Sequence, residues 1–192
     1  GDTVACMNIS PPVPARLIGC ALTLLASGGE SALTTRAVCG MAGVTAPTLY
    51  HHFGTLDGLL NAALERAFAE FLAMKQAPAR GSTAVEVLMA GWDDYVGFAA
   101  ARPGLYAAMI ARVLKGAEIP AATAARAILM QRVKAVAAER RLAVPPDRAA
   151  DMIWASAHAA AMLHVMPGTS PPDAATLEAL RQTALAPILS ES

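Results

Sequence analysis

The chain has 192 residues, of which 55% are hydrophobic and 16% charged, with a formal net charge of zero. That length holds one medium domain or a small domain joined to a larger helical one, and the neutral balance excludes nucleic-acid binding through a general basic field. So apolar a composition implies that some surface is covered by a partner or a ligand, and a dimer is the simplest cover.

Residues 1–13 contain Pro11 and Pro12 and no periodicity, and read as a disordered arm. The first helix opens with Pro14 in its first turn, repeats Leu17, Ala21, Leu24 and Leu25, and stops at Gly28 and Gly29. The apolar run from Leu17 to Ala26 has the length of a signal-peptide core. Proline-rich sequence before it and a helix pair directly after it favour a buried helix instead. Cys6, Cys20 and Cys39 are odd in number and lack C-x-x-C spacing, so they read as small hydrophobes in a reducing compartment. No stretch reaches about 18 uninterrupted apolar residues, so the expectation is a soluble, cytoplasmic protein with no membrane partner.

Two short helices and a sharp turn follow between Leu33 and Leu60. Thr34 is a good N-cap, and Val38 and Met41 fall on one face of the first short helix. Gly43 allows the left-handed turn and Val44 plugs the angle between the helices. Thr45 caps the second helix, Pro47 sits in its first turn, and Leu49 and Phe53 face inward at i, i+4. Ala46, Thr48, Tyr50 and His51 are left to the outside. The pattern is a helix-turn-helix.

The run T-x-x-x-V-x-x-x-A-G-V-T-x-x-T-L-Y-H-H-F, followed by a leucine-rich helix, resembles the DNA-binding domain of the TetR family of transcriptional repressors, over about Pro14 to Phe71. The resemblance implies a recognition helix at about Thr45 to His52 in the major groove, with Tyr50 and His51 near the phosphates. It makes Thr34, Arg36, Thr45, Ala46, Thr48, Tyr50 and His51 the candidate DNA-binding residues. Three positions depart from the family pattern: Leu56 stands where a lysine normally touches phosphate, and Ala37 and Gly40 stand where acidic residues are usual. Through residue 75, Arg16, Arg36, Arg66 and Lys75 are outnumbered by Asp2, Glu30, Asp57, Glu65 and Glu70. Each phosphate neutralised adds about one unit of salt slope, so binding leans on Arg36, Arg16 and uncharged donors.

From Leu56 to Leu72, apolar residues step through an amphipathic helix at i, i+3, i+4, i+7 spacing, which the resemblance makes the link between head and body. Pro78 to Ser82 breaks the pattern. Further helices are expected at about Thr83 to Ala101, Pro103 to Leu114, Pro120 to Leu142, Pro146 to Met166 and Pro171 to Leu189. No stretch alternates with period two, so the fold class is all-α. The expected organisation is an arm (1–13), a helix-turn-helix domain (14–54), a connecting helix (55–77) and a regulatory and dimerisation domain (78–192). Arg126, Lys134, Arg140 and Arg141 read as a solvated face of the helix from Pro120.

In the alanine-rich body the large side chains are conspicuous, because close-packed small residues leave gaps that a few large groups must fill or line. Ile153 to His158, together with Arg102 to Ile110, resembles a TetR subgroup with a Trp-x-x-x-His pair, here Trp154 and His158 at i, i+4. Trp92, Tyr95, Tyr106, Met109, Trp154 and His158 are the candidate ligand-binding residues. With no lysine among them and no arginine cluster, the expected effector is a small, mostly apolar or aromatic molecule rather than a polyanion. Ala155, Ala159, Met162 and Leu163, with Leu177, Leu180, Ala184 and Ile188, form stripes for a four-helix homodimer interface. No carboxylate pair, H-E-x-x-H or phosphate-cradling glycine loop occurs, so neither catalysis nor a cofactor or metal is expected. The expected function is a ligand-responsive repressor on a palindromic double-stranded DNA operator. The alternative is a helical ligand-binding or protein-interaction module that has lost DNA affinity.

Overall fold

Helices form where caps and apolar spacing dictate them. The computed structural model describes residues 11–75, 83–116, 120–140, 142–168 and 170–189. The expected arm over residues 1–10, the break at 78–82 and Arg141 lie outside the described residues. The fold is all-α, running α1 (Val13–Ala32), α2 (Thr35–Ala42), α3 (Ala46–Phe53), α4 (Leu56–Lys75), α5 (Ala84–Ala101), α6 (Pro103–Leu114), α7 (Pro120–Glu139), α8 (Pro146–Met162) and α9 (Ala174–Leu185), with a 3-10 turn at Ala186–Ile188.

The chain divides into two compact units, Gly1–Leu64 and Glu65–Ser192, with α4 running from one into the other. In the first, Leu17, Ala21 and Leu25 of α1, Val38, Cys39 and Ala42 of α2, and Leu49 of α3 are buried, as are Leu59, Leu60, Ala63 and Leu64 of α4. Met41 was expected beside Val38 but is 50% exposed. At 100° per residue the buried face of so short a helix is completed by Cys39 and Ala42, which turns Met41 outward. Helix α1 is interrupted at Gly29, with φ 65° and ψ −161°, where the glycine pair was expected to stop it, and a further helical turn carries the chain to Ala32.

The second unit has a core of Leu88, Met89, Trp92 and Val96 from α5, Val133 and Val136 from α7, and Ala149, Ala150, Ile153, Ala157 and Ala160 from α8, closed by Ala184 and Ile188. Its capping is explicit. The Thr83 hydroxyl accepts from Glu86 N at 3.2 Å while Glu86 accepts from Thr83 N at 3.0 Å, a capping box that fixes the start of α5. Both Glu139 carboxylate oxygens, at the end of α7, accept from Ala84 N at 2.9 and 3.0 Å, tying that same start to a second helix. Asp173 caps α9 by accepting from Thr176 N at 2.8 Å, and those hydrogen bonds hold its carboxyl below the usual range. Helices α8 and α9 end earlier than the sequence pattern indicates, at Met162 and Leu185. Beyond α9, Pro187 and the 3-10 turn lead Ile188 back, where its carbonyl accepts from Ala143 N at 2.9 Å.

Candidate DNA-reading head and effector cavity

The head is built by local chemistry. Thr34 is extended, and its hydroxyl accepts from Ala37 N at 3.2 Å, satisfying one of the orphan donors at the start of α2. Gly43 has φ 63° and ψ 40°, a conformation glycine adopts without penalty, and it stops α2 so that α3 departs in a new direction. Thr45 occupies the N-cap position of α3, but its hydroxyl bonds Thr48 Oγ1 at 3.0 Å instead of a backbone N–H, so it is not the side-chain cap the sequence led us to expect. The two hydroxyls satisfy each other. Leu49 is fully buried and Phe53 half-buried on the inner face of α3.

On the outer face Thr45, Tyr50 and His51 are exposed, while Ala46 and Thr48 are half-buried; Thr34 and Arg36 are exposed on the α2 side. Tyr50 is 45% exposed, and its hydroxyl meets Thr35 Oγ1 at 3.2 Å, which holds the ring in one place between α2 and α3. Arg16 has a different job from the phosphate contact expected of it. Its Nε donates to the Ala42 carbonyl at 3.0 Å, pinning the end of α2 to α1. Leu56, in place of the usual lysine, is half-buried in the first turn of α4. Two residues were missed: Thr35, the tether of Tyr50, and exposed His52, whose ring meets His51 edge-on at 5.1 Å. At 100° per residue, His52 lies as far from the Leu49–Phe53 axis as Tyr50 does, so helical counting finds it. No spacing rule links Thr35 to Tyr50.

In the second unit three of the candidate ligand residues make a hydrogen-bonded triangle. The Tyr106 hydroxyl lies 2.8 Å from His158 Nδ1, and Tyr95 Oη lies 3.3 Å from Tyr106 Oη and 3.4 Å from the same Nδ1. Burial lowers the His158 pKa, and it raises those of Tyr95 and Tyr106, the latter raised further by Tyr95. All three therefore stay neutral near pH 7, their hydroxyls and Nδ1 joined in one hydrogen-bonded cluster. Trp154 stacks on His158, ring centroids 5.1 Å apart and planes within 5°, while remaining 44% exposed. Trp92 Nε1 donates to Ser156 Oγ at 3.2 Å, fixing the other indole.

Between α5, α7 and α8 lies a cavity of about 60 Å³, lined by Leu88, Gly91, Trp92, Tyr95, Ala125, Ile128, Leu129, Arg132, Ile153, Trp154 and Ala157. At roughly 10–15 Å³ per water-sized site, it admits a small ring or short chain. Trp92, Tyr95 and Trp154 line it as expected. Tyr106 and His158 stand behind Tyr95, bonded to it, and Met109 is buried away from the wall. The residue missed is Arg132, which also borders a wider cleft beside Thr83 and Glu139. Ala125, Ile128, Leu129 and Arg132 stand at i, i+3, i+4, i+7, so the same count that finds an apolar stripe finds the arginine at its end.

Residues 17–63 match the family model of bacterial regulatory proteins, tetR family. The match lies within the first unit and spans the helix-turn-helix. No curated protein sequence matches the chain. Among solved structures, a protein of unknown function from Rhodococcus sp. RHA1 is 23% identical with a TM-score of 0.77, over 96% of this chain and 100% of that one. A TetR transcription regulator from Haloarcula marismortui is 18% identical with a TM-score of 0.72, over 90% and 94%. Escherichia coli NemR in its reduced form is 16% identical with a TM-score of 0.70, over 94% and 100%. These likenesses show the fold, an all-α architecture shared over nearly the whole chain. No helix among its described residues is long and apolar enough to cross a membrane.

In the second unit the expected interface residues part company. Ala155 and Ala159 are exposed and Met162 and Leu163 half-buried, a continuous outward strip of α8 and the turn after it. Leu177 and Leu180 pack against the protomer's own core, and Ala184 and Ile188 are part of it. The turn after α9 directs Ile188 inward, so Ile188 is fully buried and Ala184 nearly so within the protomer itself.

The lowered His158 pKa has a measurable result. In the unfolded chain this histidine takes its proton near its ordinary value of about 6.5, above the folded value, so stability falls as pH drops through that window and levels off below the folded pKa. The thermal midpoint of wild type should therefore fall more steeply below pH 6.5 than that of His158→Gln, whatever the variant's midpoint at pH 8. Parallel curves would show that His158 titrates alike in both states.

Proposed function

We propose that the protein is a ligand-responsive transcriptional repressor that binds a palindromic operator as a homodimer and is released by a small, mostly apolar or aromatic effector. The observation that carries the reading is α3, pinned from behind by Leu49, with Tyr50, His51 and His52 outward on a head that matches the family's model. In this reading residues 14–54 read DNA, 55–77 connect, 78–192 sense and dimerise, and the protein works in the cytoplasm without catalysis or cofactor. Effector binding in the body must favour the conformation with the wrong head spacing; a preference of about 1–3 kcal/mol weakens operator binding roughly 5- to 150-fold, with α4 as the transmitting element.

Selection of genomic DNA by the purified protein at low salt tests it. The expected result is a near-palindrome whose half-sites lie about 34–36 Å apart or a multiple of that. Tyr50→Ala should weaken binding to all sequences alike, because a phosphate contact carries no base information, whereas Thr48 and Ala46 substitutions should change the preferred bases. Enrichment of no palindrome sinks the reading in favour of a ligand-binding module without DNA affinity, and a Tyr50 variant with altered base preference contradicts the assignment of that residue.

A further inference from the structure

A further cleft lies between α5 and α9, beside the turn after α8. Its volume is about 290 Å³, near the lower end for small-molecule sites, and it shares only Trp92 with the cavity described above. Val96, Gly97 and Ala100 of α5 and Leu177 of α9 give it an apolar wall. Its charged groups are Asp93 on α5 and Glu178 and Arg181 on α9. Arg181 is already engaged. Its Nε donates to Asp93 Oδ1 at 3.1 Å, and its Nη1 lies 3.8 Å from Glu178 Oε2. One guanidinium faces two carboxylates, so the cleft carries one surplus negative charge.

Two observations show that these polar groups are incompletely met by the chain itself. Among the described residues Asp93 makes its ion pair through Oδ1, which leaves Oδ2 to accept, and its side chain is half-exposed. Burial raises the Asp93 pKa despite Arg181, with Asp94 and Glu178 adding to the rise. The second observation is His164, in the turn after α8, which also lines the cleft. Its Nε2 is buried and has no hydrogen-bond partner among the described residues. Such an orphan is a standing cost to the fold, and a ligand's polar group removes it.

We propose that this cleft binds a small primary amine, its ammonium on Asp93 beside His164 and its apolar body over Gly97. An ammonium has three N–H donors, enough for Asp93 Oδ2 and for Nε2 of the imidazole tautomer that carries its hydrogen on Nδ1. The surplus charge selects a cation over an anion. Gly97 leaves space for the body, since a Cβ built there meets nothing within 4 Å among the described residues. The proposal is independent of what the cavity between α5, α7 and α8 holds.

Pentan-1-amine, pentan-1-ol and pentanoate share one chain and differ in charge, which is plus one, zero and minus one near pH 7. In calorimetric titration of the full chain the amine should bind roughly tenfold or more tighter than the alcohol, and pentanoate should not bind. The amine should also raise the thermal midpoint. Asp93→Asn should erase the preference for the amine. The ion pair it breaks is partly exposed and adds little stability, so the variant should stay folded. Gly97→Leu, filling the cleft from a position with room for its Cβ, should abolish amine binding while circular dichroism stays that of the wild type. His164→Leu should weaken the amine several-fold. If the alcohol or pentanoate binds as tightly as the amine, if Asp93→Asn keeps the preference, or if no probe binds, the proposal is overturned. Wild-type affinity in Gly97→Leu or His164→Leu equally overturns it, by taking the amine out of this cleft or its ammonium away from the histidine.

Discussion

Leu49→Ala is expected to destabilise the helix-turn-helix head by about 2–5 kcal/mol, the range for removing a fully buried leucine from a core that closes only partly around the gap. Leu49 is the one fully buried side chain of α3, a helix of eight residues. So small a unit buries a modest share of its surface and has few kcal/mol to lose, and a helix of two turns does not persist without tertiary packing. Operator binding should disappear, and amide hydrogens from Thr35 to Phe53 should lose most of their exchange protection, while those of α5 and α8 keep theirs. Unchanged protection over α3 would mean that Phe53 and Pro47 anchor the helix well enough without Leu49.

Ala159→Glu is expected to convert the proposed dimer to monomers in sedimentation. Ala159 is exposed at the centre of the outward strip formed by Ala155, Met162 and Leu163. In a two-fold interface the substitution is made twice, and each carboxylate desolvated without a counter-ion costs on the order of 3–5 kcal/mol. The protomer should stay folded, since the side chain points away from the core that Ala157 and Ala160 help to form. Ala159→Ser, small and neutral, should remain dimeric. A fully dimeric glutamate variant would place the interface on another surface.

The helix-turn-helix was legible because each of its devices is local. Thr34, Gly43 and Pro47 act on backbone within four residues of themselves, and Leu49 needs only helical spacing to be assigned inward. What sequence obscured was the use made of groups that reach across elements. Arg16 reads as a cation available to phosphate, yet 26 residues away the Ala42 carbonyl claims it. Thr45 reads as a cap, yet Thr48 offers its hydroxyl a nearer partner. In the body, Trp92, Tyr95 and Trp154 stand out from an alanine background and line one cavity, but the bond between Tyr106 and His158 spans 52 residues and follows from packing alone. Arg132 was hidden by expectation rather than by distance, since charges on α7 were assigned to solvent. Ile188 packs into the protomer's own core, and an apolar stripe by itself does not say whether it meets its own chain or another copy.

The residues that report on a protein's surroundings are unevenly dealt in this sequence. All three thiols, at Cys6, Cys20 and Cys39, fall in the first unit, while both indoles, Trp92 and Trp154, fall in the second. Cys39 is buried in the head, so a maleimide or disulfide reagent reaches it only when that unit opens, at a rate set by the head's own opening equilibrium. Emission at tryptophan wavelengths comes from the body alone. The molecule thus carries two separate natural labels, one chemical and one optical. Loosening of the half that would hold DNA and filling of the half that would hold effector can be timed in a single unmodified sample.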